Sequence, residues 1–491
     1  MRAPPGACDV LVVGLGPVGL LLTALLRAQG RDVVAVERDP AVAGEPRAAV
    51  LDDEALRALQ AAGAAGAVVA AGVVLERAEL ELRDGRSVTL MHAPARTANG
   101  HPALVGIHQP ALARRLEQAA GASAFRGLEL TGLRDGGDVV SATLLHVSGA
   151  RHAVRARWVV GCDGAHSAVR RLAGIGFGGT TFSQRWLVVD AAVARTGPRR
   201  ATFTGDPAAP AVTLPLTPGI RRWEVMVEAG AEPDPDALVH ARAPHGAAEA
   251  TAIRSAAYTF HARVADRWRA GRVLLAGDAA HVMPPFAGQG LGSGLRDAVN
   301  LAWKLGAVLD GRCPAELLDT YEAERRPHVM RLTALARLVG AIVQTRRPRV
   351  ASARDRVLLA LDRTAIGARL QAGGAKPAAT LRGGALAGRT PGAGALLPQP
   401  AVRTGKGALV ALDDALGPGW ALLAREPQAP FGAARVVVLG RDVEDRTGVL
   451  DRWLARHGAA VALVRPDRHV AATAPRARDA AAALSRYAAL V

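Results

Sequence analysis

The sequence predicts an α/β chain in which a β-α-β sheet is interrupted by an antiparallel sheet and followed by a small third domain. Three observations carry this. A Val-rich run, Asp9 to Val13, leads into G-L-G-P-V-G, a helical stretch (Leu20 to Arg27) and a second strand (Asp32 to Val36). Two later strands, Ala153 to Val160 and the one ending at Asp278, run into glycine-rich turns and then helices. Between residues 182 and 260, short β-like runs (Trp186 to Val193, Ala211 to Leu216, Arg222 to Val227) alternate with Pro/Gly clusters, the pattern of an antiparallel sheet.

In the first β-α-β unit, Gly14 supplies the tight turn, Gly16 admits a pyrophosphate close to the backbone and Gly19 allows tight helix packing. Pro17 and Val18 open the helix, whose unbonded N–H groups face phosphate oxygens. Glu37, followed by Arg38, ends the second strand, where a carboxylate accepts hydrogen bonds from an adenosine ribose. A lone G-x-G-x-x-G is weak, but the flanking strand, helix and acid make this a dinucleotide site.

Arg47 precedes a segment, Ala48 to Gln60, that is helical by period, and Gln109-Pro110 begins the helix within Ala103 to Ala120. Val139 to Val147 alternates as a strand. Asp163-Gly164, with Ser167 and Arg170, forms a turn into a helix whose N-terminus is expected to face phosphates. Gly271 to Leu305 reads as a buried strand, the Gly277-Asp278 turn, a Pro284-Pro285 loop with Phe286, and a helix after Gly290, Leu291 and Gly292. Such a segment can grip the ribityl chain and ring edge of a flavin. Helix is expected over 295–309 and on to about Leu370, then a linker over 371–405. A third domain over 406–491 holds strands Ala408 to Leu412, Arg435 to Leu439 and Ala460 to Val464 and a helix Val449 to His457. The remaining division is 1–181 (with a short substrate-domain segment near 75–100), 182–270 for the inserted sheet, and 271–370 completing the first domain.

A chain of 491 residues is long enough for several domains. Its formal charge of +17 comes almost wholly from Arg spread along the chain, so it points neither to nucleic acid nor to a membrane surface. The uncharged run Val10 to Leu26 is broken by Gly14, Gly16, Pro17 and Gly19, which favours a buried strand and helix over a membrane span. Three cysteines without C-x-x-C or metal-ligand spacing exclude a disulfide framework and a metal site, and fit a reducing cytoplasm.

Together, the motifs at Gly14 to Gly19, Asp163 to Arg170 and Gly277 to Pro285 resemble the single-component FAD-dependent aromatic hydroxylases. P-R-A-x-x-L-D-D-E-A-L from Pro46, F-x-Q-R-W-L-V-V-D from Phe182, R-R-W-E from Arg221 and Y-T-F-H-A-R from Tyr258 look like the 3-(3-hydroxyphenyl)propionate hydroxylase branch. The resemblance implies a Rossmann-like FAD domain with an inserted substrate sheet and a thioredoxin-like C-terminal domain, which without C-x-x-C cannot run dithiol chemistry. It also implies that Glu37 holds the adenosine ribose, Arg47 and Gln109 the diphosphate and ribityl region, and Asp278 the ribityl hydroxyls. Pro285 and the Gly290-Leu291 amides would line the isoalloxazine, and the helix N-terminus near Gly292 would face its N1/O2 edge.

The implied chemistry uses NADH or NADPH to reduce FAD, then O₂ and a C4a-hydroperoxide to hydroxylate a phenolic substrate, with no protein nucleophile. Trp186, Arg222, Trp223, Tyr258, His261 and Phe286 are the substrate-side candidates, because a phenolic acid needs aromatic walls and a cation. Taken singly, Trp186 and Trp223 also read as sheet core, Arg222 as a solvated side chain and His261 as a satisfied polar residue; His281 reads as a brace for its loop. Asp206-Pro207 is followed by Ala208-Ala209-Pro210 where the branch often has an Arg, which leaves the acid substrate open. The alternatives are the same flavin chemistry on a polycyclic or polyketide substrate and a non-catalytic nucleotide-binding sensor. A homodimer is also possible.

Overall fold

A computed structural model describes residues 3–42, 47–228, 230–231, 233–242, 250–385, 390–476 and 479. Pro46, the first residue of one quoted motif, and the end of the expected third domain lie outside them. The chain forms two compact units: Met1–Ala95, Pro102–Ala298 and Val329–Pro377 in one, and Arg96–His101, Val299–His328 and Ala378–Val491 in the other.

The larger unit holds two sheets. In the first, Val273–Leu275, Arg151–Gly161, Ala7–Val13, Val33–Glu37 and Ala124–Arg126 lie side by side and parallel, and a meander of Leu128–Asp135 and Val140–His146 pairs back onto Arg151–Gly161. Val10, Leu11 and Val12 are fully buried, as expected of a central parallel strand covered on both faces. The second is an eight-stranded sheet in the order His281–Val282, Thr251–Ala265, Phe177–Ala192, Ile220–Val227, Ala211–Thr217, Arg200–Thr204, Arg77–Glu81 and Ser87–His92. It is antiparallel except where Arg200–Thr204 runs parallel to Arg77–Glu81.

Three elements depart from the sequence reading. Ala48 to Gln60 is not all helix: Val50–Asp52 pairs with Leu104–Gly106, and the helix is Asp53–Gln60, capped by Asp52 Oδ1, which accepts the Ala55 amide at 2.8 Å. The helical run towards Leu370 breaks into Asp319–Val343, Pro348–Asp362 and Ala365–Arg369. Pro348 and the Thr364 side-chain cap favour fresh helix starts at those points. Ala401–Thr404, within the expected linker, is a strand paired with Leu409–Ala411, while Leu412 begins a short helix instead of ending the strand.

In the smaller unit a four-stranded sheet has the order Arg435–Val438, Ala421–Ala424, Val461–Val464, Val470–Ala474. The first two are parallel and the others antiparallel, the strand order 2-1-3-4 of a thioredoxin-like sheet. The connection between its first two strands, residues 425–434, contains no helix, so the element that would present a redox dithiol is missing. A buried polar cluster lies in this unit. Glu324 accepts Lys304 Nζ at 2.8 Å and both Nη atoms of Arg465 at 2.9 and 2.8 Å. Asp467 Oδ2 accepts from Arg465 (2.6 Å), Asn300 (3.0 Å) and Trp303 (3.3 Å).

Candidate cofactor and substrate site

The glycine turn is shaped by what a Cβ would strike. At Gly14, with φ +104°, it would sit 2.4 Å from the Cys162 carbonyl oxygen, and at Gly19 it would sit 2.0 Å from the Gly14 carbonyl oxygen. Strand, turn and helix are packed too closely for any side chain at either position. At Gly16 a Cβ would meet nothing within 4 Å, so the turn is open there, where a pyrophosphate would approach. Pro17 is the first helical residue and Gly16 caps without a side chain, leaving the first-turn amides without a side-chain acceptor. Glu37 is half-buried and tied to the same turn: its Oε2 accepts the Leu15 amide at 3.0 Å and its Oε1 accepts the Asp39 amide at 3.2 Å. Arg38 is exposed and lies 3.8 Å from Asp39.

The Asp163-Gly164 turn differs from expectation. Asp163 Oδ2 accepts the Ala168 and Val169 amides at 2.7 and 3.1 Å, and Ser167 Oγ accepts the Arg170 amide at 2.9 Å. The helix Ala168–Leu172 is therefore capped from within, and its first amides are not offered to phosphate. Burial raises the Asp163 pKa despite these bonds. Arg170 donates to the Ala279 carbonyl at 2.8 Å and to the Ala165 carbonyl at 2.7 Å, bracing the turn that carries Asp278.

Asp278 is exposed by its solvent-accessible area, and its carboxylate makes no hydrogen bond with the described residues. Yet desolvation raises its pKa, against the pull of His281 and Arg47. Its carboxylate reaches water while the surrounding protein disfavours its charged form. Behind it, His281 Nε2 pairs with Asp297 Oδ2 at 2.7 Å, and Asp297 also accepts the Gly277 amide at 3.2 Å. His281 thus braces the loop. Val18 packs under the turn: a Cβ at Gly277 would lie 3.1 Å, and one at Gly294 2.6 Å, from its methyls. Pro285 is exposed, Pro284 and Gly292 are buried, and Gly290 and Leu291 are half-buried at the start of the helix Gly290–Leu309.

Gln109 Oε1 accepts the Ala48 amide at 2.6 Å, holding the segment after Arg47, whose side chain is exposed. Arg222 Nη1 donates to the Arg47 carbonyl at 2.6 Å. Expected as a substrate cation or a solvated side chain, Arg222 is instead fully buried: its Nε and Nη2 grip Asp190 at 2.6 and 3.1 Å, and Arg254 Nε joins the same carboxylate at 2.7 Å. Its charge is already spent.

Strand alternation separates the remaining candidates. Trp186 pairs with Met226 and Tyr258, and Asp190 with Arg222 and Arg254, so all share one face. On that face Trp186, Phe260 and Phe286 form an aromatic cluster with centroids 5.4–5.8 Å apart, edge-on at Phe286. Trp223 pairs with Val189, one residue out of phase, and is buried on the opposite face with Leu187 and Val239. His261, also out of phase with Tyr258, meets the Thr181 hydroxyl at 3.0 Å, and its pKa is lowered by burial and by Arg263.

Asp190, Arg254, Phe260, Arg296 and Asp297 were not anticipated. A signal existed for the helix: Arg296, Asn300 and Lys304 recur every fourth residue of a largely apolar stretch that also holds Asp297, the mark of a buried polar stripe.

Residues 7–336 match the family model described as FAD binding domain, and residues 433–489 match an HcaD C-terminal domain. The chain belongs to the FAD-dependent aromatic hydroxylases. It is 38% identical to the 3-(3-hydroxy-phenyl)propionate/3-hydroxycinnamic acid hydroxylase of Mycobacterium avium (strain 104), over 98% of this chain and 92% of that one. It is 36% identical to a probable NADH-specific resorcinol 4-hydroxylase of Rhodococcus jostii (strain RHA1), over 97% of this chain and 94% of that one. Among solved structures, a ternary complex of aklavinone-11 hydroxylase with FAD and aklavinone superposes with a TM-score of 0.79 at 27% identity, covering 100% of this chain and 99% of that one. No helix among the described residues is long and apolar enough to cross a membrane.

Proposed function

We propose that this flavoprotein hydroxylates a phenolic acid of the hydroxyphenylpropionate type, using NADH or NADPH and O₂. The observation that carries the reading is Asp278: a carboxylate that reaches solvent beside the Gly277 turn, without a hydrogen bond among the described residues and suited to accept hydrogen bonds from the hydroxyls of a ribityl chain. FAD, when bound, relays electrons from the nicotinamide to O₂ and carries the oxygen-transfer chemistry. Gly16 and the first helix N-terminus hold its diphosphate, Glu37 its ribose, and Arg47 and Gln109 the stretch between. Pro285 and the Gly290 to Gly292 backbone line its ring edge, and the helix dipole there favours negative charge.

The protein's own part in the reaction is orientation and exclusion of water. Trp186, Phe260 and Phe286 wall the substrate ring from one face of the sheet, and Tyr258 lies on that face within reach of a phenol oxygen. Arg222 and Asp190 act as positioning residues, holding the Arg47 segment. We assign the bounds 1–181, 182–270, 271–370 and 406–491 to FAD-binding, substrate, FAD-completing and thioredoxin-like parts, joined by 371–405. A cytoplasmic setting suits its three free thiols. Pairing of two copies is the proposed assembly, which sedimentation would test.

A second reading, a polycyclic or polyketide substrate, is favoured by one observation. Arg222 is fully buried and held by Asp190, and residues 208–210 supply no Arg in its place. Anaerobic titration with NADH or NADPH, with and without phenolic acids and polycyclic phenols, decides between them. The substrate class that accelerates bleaching of the flavin bands is the effector. A purified protein that takes up no FAD would overturn the assignment.

A further inference from the structure

In the larger unit, the end of the helix Asp319–Val343 packs against the aromatic cluster. Ala336, Gly340 and Val343 recur at spacings of four and three and are buried, and Val339 and Ile342 pack on the core that holds Trp186 and Phe286. At Gly340 the backbone meets the Phe286 ring directly. A Cβ there would lie 2.6 Å from Phe286 Cδ2, 2.8 Å from Cε2 and 3.4 Å from Cγ. Glycine is a poor helix former, and no left-handed φ calls for it at this position, so what it supplies is space. The same ring stands edge-on to Trp186 and to Phe260, with centroids 5.4 and 5.5 Å apart. A methyl at 340 would have to move the ring or the helix by about 1 Å to restore an ordinary carbon contact.

Phe286 directly follows Pro284-Pro285, the loop assigned to the flavin ring edge. We infer that Gly340 is a positioning residue for substrate selection: by lacking a Cβ it lets Phe286 seat against the helix, and so fixes where the aromatic wall stands beside the flavin loop. This rests on the proposal that Trp186, Phe260 and Phe286 wall the substrate ring. Gly340 touches neither substrate nor flavin and acts through Phe286 alone.

The test uses full-length, FAD-loaded protein and follows flavin reduction by NADH or NADPH against the concentration of 3-(3-hydroxyphenyl)propionate or of 1-naphthol, whichever accelerates the wild type. G340A should raise the half-saturating concentration about tenfold, the effect of one misfitted methyl in an apolar pocket, and change the rate at saturation less. Its affinity for FAD should be unchanged. In F286A the side chain ends before the three struck atoms, so adding G340A to F286A should raise half-saturation no further. Equal effects of G340A in the two backgrounds, or no effect in the wild type, overturn the inference while leaving the flavin site standing. Wild type that binds no FAD, or that neither phenol accelerates, overturns the proposed function and the inference together. If G340A does not fold, G340A/F286L compared with F286L carries the test: a Leu Cδ remains within reach of the methyl, so half-saturation should still rise, and no rise overturns the inference.

Discussion

The two largely buried charge clusters of this chain differ in their access to water. In the smaller unit Lys304 and Arg465 face Glu324 and Asp467, charge for charge, with side chains no more than 3% exposed. In the larger unit Arg296 and Lys376 meet Asp52, Asp53 and Glu54, and Lys376 is 24% exposed. A balanced, closed cluster needs every member, because removing one strands its partner in low dielectric. A cluster whose cation partly reaches water tolerates loss better.

The largest expected effect is on the closed cluster. R465M removes the buried guanidinium from Asp467 and leaves Glu324 with Lys304 alone, and should cost about 3–5 kcal/mol, read as a lower urea midpoint. K376M should cost clearly less, and equal losses would break the comparison. Acid supplies a second probe of the closed cluster. Burial works against ionisation of Glu324, but Arg465 and Lys304 hold its pKa down to about 2, against an ordinary 4.5. A depressed carboxyl contributes stability that is complete above pH 4.5 and is lost as pH falls through 2. R465M should flatten that part of the pH–stability curve.

On the open side, D278A should weaken FAD binding about ten- to hundredfold, the value of hydrogen bonds to a charged group, with little change in melting temperature. Full flavin retention would remove Asp278 from the site. The smallest stability effect is expected for G16A, within about 0.5 kcal/mol since its Cβ meets nothing, although FAD binding should still suffer. G14A, which would strike the Cys162 carbonyl, should destabilise the fold itself. Urea unfolding and FAD titration of the two variants would sharpen the contrast.

What the sequence disclosed and what it hid follow the same division. Gly14, Gly16, Gly19 and Asp278 were legible because turn chemistry is local, with the constraint and the residue that meets it within a few positions. The Trp186 and Trp223 strands were legible as strands, but not which face each ring takes, because facing depends on the register with partners. The Arg222–Asp190 pair spans 32 residues, and Lys376 meets Asp53 across 323 in a stretch that reads as linker. Such pairings leave only a single unexplained charge at each end. Phe177–Ala192 begins earlier than its apolar run, because pairing with Thr251–Ala265 draws the glycine-rich residues into the sheet.

The Asp163 to Arg170 turn caps its own helix, and its Arg170 anchors the carbonyl of Ala279, the residue after Asp278. In a mutational screen scored by flavin colour, Arg170 and Asp278 would fall in one class, although their remedies differ. Excess FAD would rescue a protein whose carboxylate is missing, whereas a protein whose carboxylate is mis-aimed would need a second mutation that stiffens the turn.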